Sequence, residues 1–108
     1  MFIDDWRDVK LEHITRIERV AAQFHVFLED QIGNTFVKVK ILENVEGKFR
    51  GITNMAVKDI ETGEPLWIEG NGETVAEALE HTVRLLLKTT NDRKLTHEDV
   101  VWKSLRRF

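Results

Sequence analysis

Gly70-Asn71-Gly72-Glu73-Thr74-Val75-Ala76-Glu77-Ala78-Leu79-Glu80-His81-Thr82-Val83-Arg84-Leu85-Leu86-Leu87-Lys88 is the stretch whose reading decides the fold. A strand is expected to end at the glycines and a helix to begin just after them. Thr74 suits the N-cap, and Glu77, three residues on, completes the signature of a capping box. Val75, Ala78, Leu79, Thr82, Val83 and Leu86 then recur at helical spacing as one broad apolar face. A helix with such a face needs a sheet beneath it, and the residues before Gly70 read as that sheet.

Outward from the helix, Thr35 to Glu43 alternates Val37, Val39 and Ile41 with Lys38 and Lys40, which is a strand pattern. Asn44-Val45-Glu46-Gly47 supplies turn chemistry. Lys48 to Val57 reads as the next strand, interrupted by Gly51 and Asn54, and Pro65 to Glu69 as a short edge strand. Gly70-Asn71-Gly72 reads as a tight turn using positive φ. An anion site on its backbone N–H groups is the competing reading, which Glu73 opposes.

Gln23 to Ile32 admits two readings. Ile17, Val20, Phe24 and Phe27 continue a helical stripe, but one helix to Gly33 would be roughly 28 residues and about 42 Å long. A strand is favoured, closed by a Gly33-Asn34 turn. That register sets Leu28 opposite Val39, Val26 opposite Ile41 and Glu29 opposite Lys38. Before it, Trp6, Val9, His13, Ile14, Ile17, Val20 and Ala21 at three- and four-residue steps predict an N-terminal helix, with Asp4, Asp5 and Asp8 in its first turns. After Lys88, Thr96 and Asp99 predict a short helix carrying Val101, Leu105 and Phe108 on one side.

The resulting expectation is one α+β domain over 1–108 with the order α-β-β-β-(β)-α-α. It comprises a helix over 1–22, an antiparallel meander of three to four strands over 23–70, a covering helix over 73–89 and a short basic helix over 96–107, with the N-terminal and covering helices on one face of the sheet.

Thr35 to Lys88, three antiparallel strands and a helix opening at Gly70-x-Gly72-x-Thr74, resembles the double-stranded-RNA-binding domain fold, which also has a preceding helix. At the start of the helix, where that family carries phosphate-binding lysines, this chain has Glu73, Val75, Ala76 and Glu77. Gly72 to Leu79 is also similar to the strand-to-helix corner of HicB-type antitoxin domains, which bind a small partner protein.

Charge narrows the function classes. The net formal charge is −3. Residues 1–34 hold four basic and seven acidic groups, 35–90 seven and nine, and 91–108 five and three, so only the tail is net basic. Duplex binders draw affinity from counterion release and usually show a net basic surface. There is no cysteine, which removes disulfides and thiolate chemistry. No His-x-x-x-His pair exists to suggest zinc. The sole serine, Ser104, sits in the basic tail with no triad around it. An acid/base role would rest on Glu77, His81 and Asp59 alone, and Glu77 with His81 reads more simply as a solvated helix pair. No metal or cofactor is expected. The absence of a long apolar run, with Asp4 and Asp5 near the start, makes a cytoplasmic location the default.

The candidate binding residues are Lys38, Lys40, Lys48, Arg50 and Lys58 on the strands, with Phe36, Phe49 and Trp67 interleaved, and Arg93, Lys94, Lys103, Arg106 and Arg107 in the tail. Trp6, Trp67 and Trp102 read as core or rim packing, unless Trp67 and Phe36 share the uncovered sheet face as a contact surface. The leading functional reading is a non-catalytic interaction module, acting through its sheet face or edge on a protein partner or on itself. The alternative is weak RNA or single-stranded nucleic-acid binding through the strand lysines and the tail.

Overall fold

The computed structural model describes residues 5–29 and 36–108. Helix α1 (Val75–Thr90) forms where the apolar spacing places it. Thr74 is extended, and its Oγ1 accepts the Glu77 N–H at 3.1 Å, capping the first turn. At the other end Asn91 turns left-handed (φ 55°) and donates its N–H to the Lys88 carbonyl. Ala78, Thr82, Leu86 and Thr90, each four residues apart, form the buried row of the helix.

Two antiparallel sheets lie against this row, where a single meander was expected. The larger has the order β1 (Arg19–Phe27), β2 (Phe36–Glu43), β3 (Phe49–Thr53), β6 (Glu69–Gly72). The smaller has β4 (Met55–Lys58) between β5 (Pro65–Leu66) and β7 (Val100–Trp102). The fold is α+β, but the α-β-β-β-(β)-α-α order is overturned: among the described residues α1 is the one α-helix.

Asn54 explains the division. Its side-chain oxygen accepts the Lys38 N–H at 2.9 Å, and its own N–H donates to the Lys38 carbonyl at 3.1 Å. Its carbonyl accepts the Lys103 N–H at 2.8 Å. The expected Lys48–Val57 strand is therefore two strands, in two sheets, handed over at one polar residue. The chain returns at Trp67 and Ile68, which split the expected Pro65–Glu69 strand in the same way.

The N-terminal helix is also corrected. Only Trp6–Asp8 makes a single 3-10 turn, His13 has φ +70°, and the chain is extended from Arg19. Helical spacing in this segment does not bury its stripe: Ile14 and Val20 stay more than half exposed. What a helix cannot do is satisfy the outer edge of β2, and β1 does so along its length. The hairpin pairing exists in a different register, with Val26 facing Val37, His25 facing Lys38 and Phe24 facing Val39. The shift from the expected pairing is four residues, an even number, so each side chain keeps its face. The Gly33-Asn34 turn lies outside the described residues.

The C-terminal helix over 96–107 is reduced to one 3-10 turn, His97–Asp99, followed by β7. Asp99 accepts the Thr96 N–H at 2.8 Å, so the capping signature is used, but Val100 then enters the second sheet and Leu105 is 89% exposed. Burying Val100 against Met55, Val57, Leu86 and Leu95 outweighs continuing a short helix.

Gly70 and Gly72 lie in β6, with no positive φ, so the tight-turn reading is corrected as well. A Cβ on Gly70 would stand 2.2 Å from Thr82 Oγ1 and 2.5 Å from the Thr82 backbone nitrogen. One on Gly72 would stand 2.4 Å from the Ala78 nitrogen. These glycines let α1 settle directly on the strand that feeds it. Val39, Ile41 and Ala78 form the core under the first half of α1, and Val37, Met55, Val57, Leu86, Leu95 and Val100 the core under the second.

Candidate binding surfaces

Alternation along the larger sheet gives it two unlike faces. Val37, Val39 and Ile41 face the helix, and Phe49 packs with them rather than with the strand lysines. Phe36, Lys38 and Lys40 therefore share the opposite face. Their cross-strand neighbours Phe27, His25 and Gln23 lie beside them, as do Ile52 and Arg50 of β3. Of the expected strand cluster, the structure brings together Phe36, Lys38, Lys40 and Arg50. Lys58 belongs to the second sheet, and Lys48 is exposed with Glu73 at 3.4 Å.

Arg50 is not available as a free cation. Glu18 accepts from its Nε at 2.7 Å and from a terminal nitrogen at 2.8 Å, and Glu69 stands at 3.5 Å. The hydrogen bonds from Arg50 hold the Glu18 carboxyl below the usual carboxylate range. Lys38, Lys40 and Lys103 differ: among the described residues none has a carboxylate within ion-pair distance. The Lys40 ammonium lies 4.4 Å from the centre of the Phe108 ring, and that of Lys103 lies 4.8 Å from Trp67. The three lysines surround a depression of about 180 Å³ that Gln23, Asn54 and Phe108 also line.

Beside it stand the aromatic rings. His25 and Phe36 stack at 4.2 Å with 21° between their planes, and Phe27 lies 5.3 Å from Phe36. Phe27 is 68% exposed. Sequence reasoning missed His25, Phe27 and Phe108 as surface partners. The signal for the first two was the alternation from Gln23 to Leu28, blurred by the competing helical stripe.

The tail residues separate. Arg93 donates to the carbonyls of Thr90 (3.0 Å) and Lys58 (3.2 Å) and sits 3.8 Å from Asp99, which makes it a brace between α1 and the second sheet. Lys94, Arg106 and Arg107 are exposed. Trp67 lies where the chain crosses between sheets, with the Lys103 ammonium over its ring.

The sheet edges are unequal. β5 is two residues long and begins with Pro65, and β7 is three. β6 is four residues, and the Asn71 N–H donates to His81 Nδ1 of α1 at 2.9 Å. The outer edge of β1 is nine residues long and pairs with nothing among the described residues.

The acid/base residues do not converge. His81 is engaged at Asn71, and Asp59 accepts the Glu61 N–H at 2.8 Å in the turn after β4. Among the described residues no group of three or more metal-ligating side chains gathers, and no helix is long and apolar enough to cross a membrane. Searches of protein-family models, of curated proteins and of solved structures find no match to this chain.

Proposed function

We propose that this protein is a non-catalytic interaction module that associates with a second copy of itself by pairing β1 to β1. The observation that carries the reading is the open edge of β1. Proteins blunt an edge with lysine, proline, a short strand or a covering group, because unpaired backbone invites another chain. Among the described residues the other three edges carry such devices, whereas β1 has one register shift, between Val20 and Ala22, and is regular from Ala22 to Phe27. From Val20 to Phe27 there is neither a charged residue nor a proline.

The pattern suits a two-fold partner. Antiparallel pairing centred on Phe24 sets Ala22 against Val26 of the second copy, Gln23 against His25 and Phe24 against itself. Ala22, Phe24 and Val26 lie on the core side of the sheet yet remain only half-buried, since α1 packs chiefly on β6 and β3. Pairing would extend that core across the axis. The likeness of Gly72 to Leu79 to a partner-binding antitoxin domain agrees in kind.

Light scattering across micromolar concentrations tests this. A mass twice that of the chain is expected. Val20→Lys, placed on an exposed part of the edge, should weaken the dimer about tenfold. A monomer at every concentration would sink self-association.

A further inference from the structure

We infer that the open face of the larger sheet, at Phe27, His25, Phe36, Lys38, Lys40 and Lys103, is a binding site for single-stranded nucleic acid. The site uses the face of the sheet and the dimer the backbone edge of β1, so His25 and Phe27 lie beside the proposed seam, but the inference does not rest on the dimer.

The face is electrostatically divided. Around Arg50 the positive charge is cancelled by Glu18 and Glu69. Around Lys38, Lys40 and Lys103 it is not, so an anionic ligand meets cations that need not give up a carboxylate first. Phe36, Lys38 and Lys40 alternate along β2, which spaces them about 6.8 Å apart, of the order of one nucleotide in an extended strand. An aromatic at one end and ammonium groups after it suit a chain that carries a base and a phosphate per repeat.

The rings explain why the ligand is a single strand and a nucleic acid. His25 and Phe36 are already stacked, and Phe27 leaves most of its surface in solvent at the end of that stack. Phe27 thus adds an open aromatic surface to the stack beside the lysines. An unpaired base offers a flat π-face to that surface, whereas bases inside a duplex are shielded by their neighbours. With three lysines and a net charge of −3, affinity is expected to be modest and strongly salt-dependent.

The test is fluorescence anisotropy of labelled oligo-U and oligo-dT against the full chain at low salt. Micromolar binding is expected, with a log-log salt slope near −2, for about three phosphates at roughly −0.7 each. The double variant Lys38→Ala/Lys40→Ala should lose about tenfold in affinity and most of the slope. Phe27→Ala should lose about five- to tenfold with the slope unchanged, since stacking carries no counterion release. Lys88→Ala, on the exposed side of α1, should change neither. Absence of binding at low salt overturns the proposal. Equal competition by inorganic polyphosphate, or indifference to Phe27→Ala, also overturns it, because either would reduce the site to a general anion patch. Circular dichroism of each variant separates loss of binding from loss of fold.

Discussion

Glu43 shows how much one residue can organise at long range. It ends β2 with its side chain only 6% exposed, and Arg7 donates to it at 2.8 Å while Arg19 pairs with its other oxygen. Arg7 is also held by Asp5, and both guanidinium groups lie over the Trp6 ring. The N-terminal turn is thus fastened to the sheet by a buried carboxylate with two cations. The hydrogen bond from Arg7, above all, keeps the Glu43 carboxyl below the usual range, and Glu18 is lowered in the same direction by Arg50. A carboxylate with a depressed folded pKa adds stability that is complete above the unfolded value, about 4.3 for Glu, and is lost as pH falls through the folded value. Thermal melts should therefore hold level from neutrality to about pH 5 and fall steeply below. Glu43→Gln should melt lower at pH 7 and show a shallower acid decline; an unchanged acid profile would show that this cluster does not set it.

At the scale of the element, α1 lies directly on the backbone of β6. Ala78 and Thr82 meet the backbone of Gly72 and Gly70 with no room for a methyl group. Gly70→Ala should cost about 3 kcal/mol, the upper part of the usual overpacking range, because the Thr82 backbone stands behind its hydroxyl and the helix must lift as a unit. Chemical denaturation measures this, and a loss below about 0.5 kcal/mol would show that α1 shifts freely. β1 teaches the converse. Its apolar residues satisfy a helical and an alternating pattern at once, and the unpaired edge of β2 decides between them. The pairing of Phe27 with Phe36 then differs by four residues of register from the one the Gly33-Asn34 turn would give.

The whole molecule is held by one helix spanning two sheets. Leu86 packs with Val37 of the first sheet and with Met55, Val57 and Val100 of the second. Leu86→Ala should lose about 2–5 kcal/mol while both sheets still unfold in one transition, followed by tryptophan fluorescence and far-UV dichroism together. Separate transitions would mean that the sheets are not coupled through α1. The Cα radius of gyration, 16.2 Å, exceeds the value of about 13 Å expected for a compact chain of this length. A dimer through β1 would bring the half-covered Ala22, Phe24 and Val26 into a larger shared core.

The sequence by itself determined α1, its Thr74 cap, the strand character of β2 and the alternation that places Phe36, Lys38 and Lys40 on one face. Each follows from local periodicity or from a bond spanning three residues, and neither needs knowledge of a distant partner. Tertiary structure alone decided that 19–22 joins the strand expected from Gln23 on, that Asn54 hands the chain to a second sheet, that Val100 ends a helix before it begins, and that Arg50 is neutralised while Lys38 and Lys40 are not. Those outcomes depend on Lys38 meeting Asn54, Glu18 meeting Arg50 and Arg7 meeting Glu43, pairs 16 to 36 residues apart. Local propensity leaves such pairings degenerate, and the energy of burying backbone and charge together selects among them.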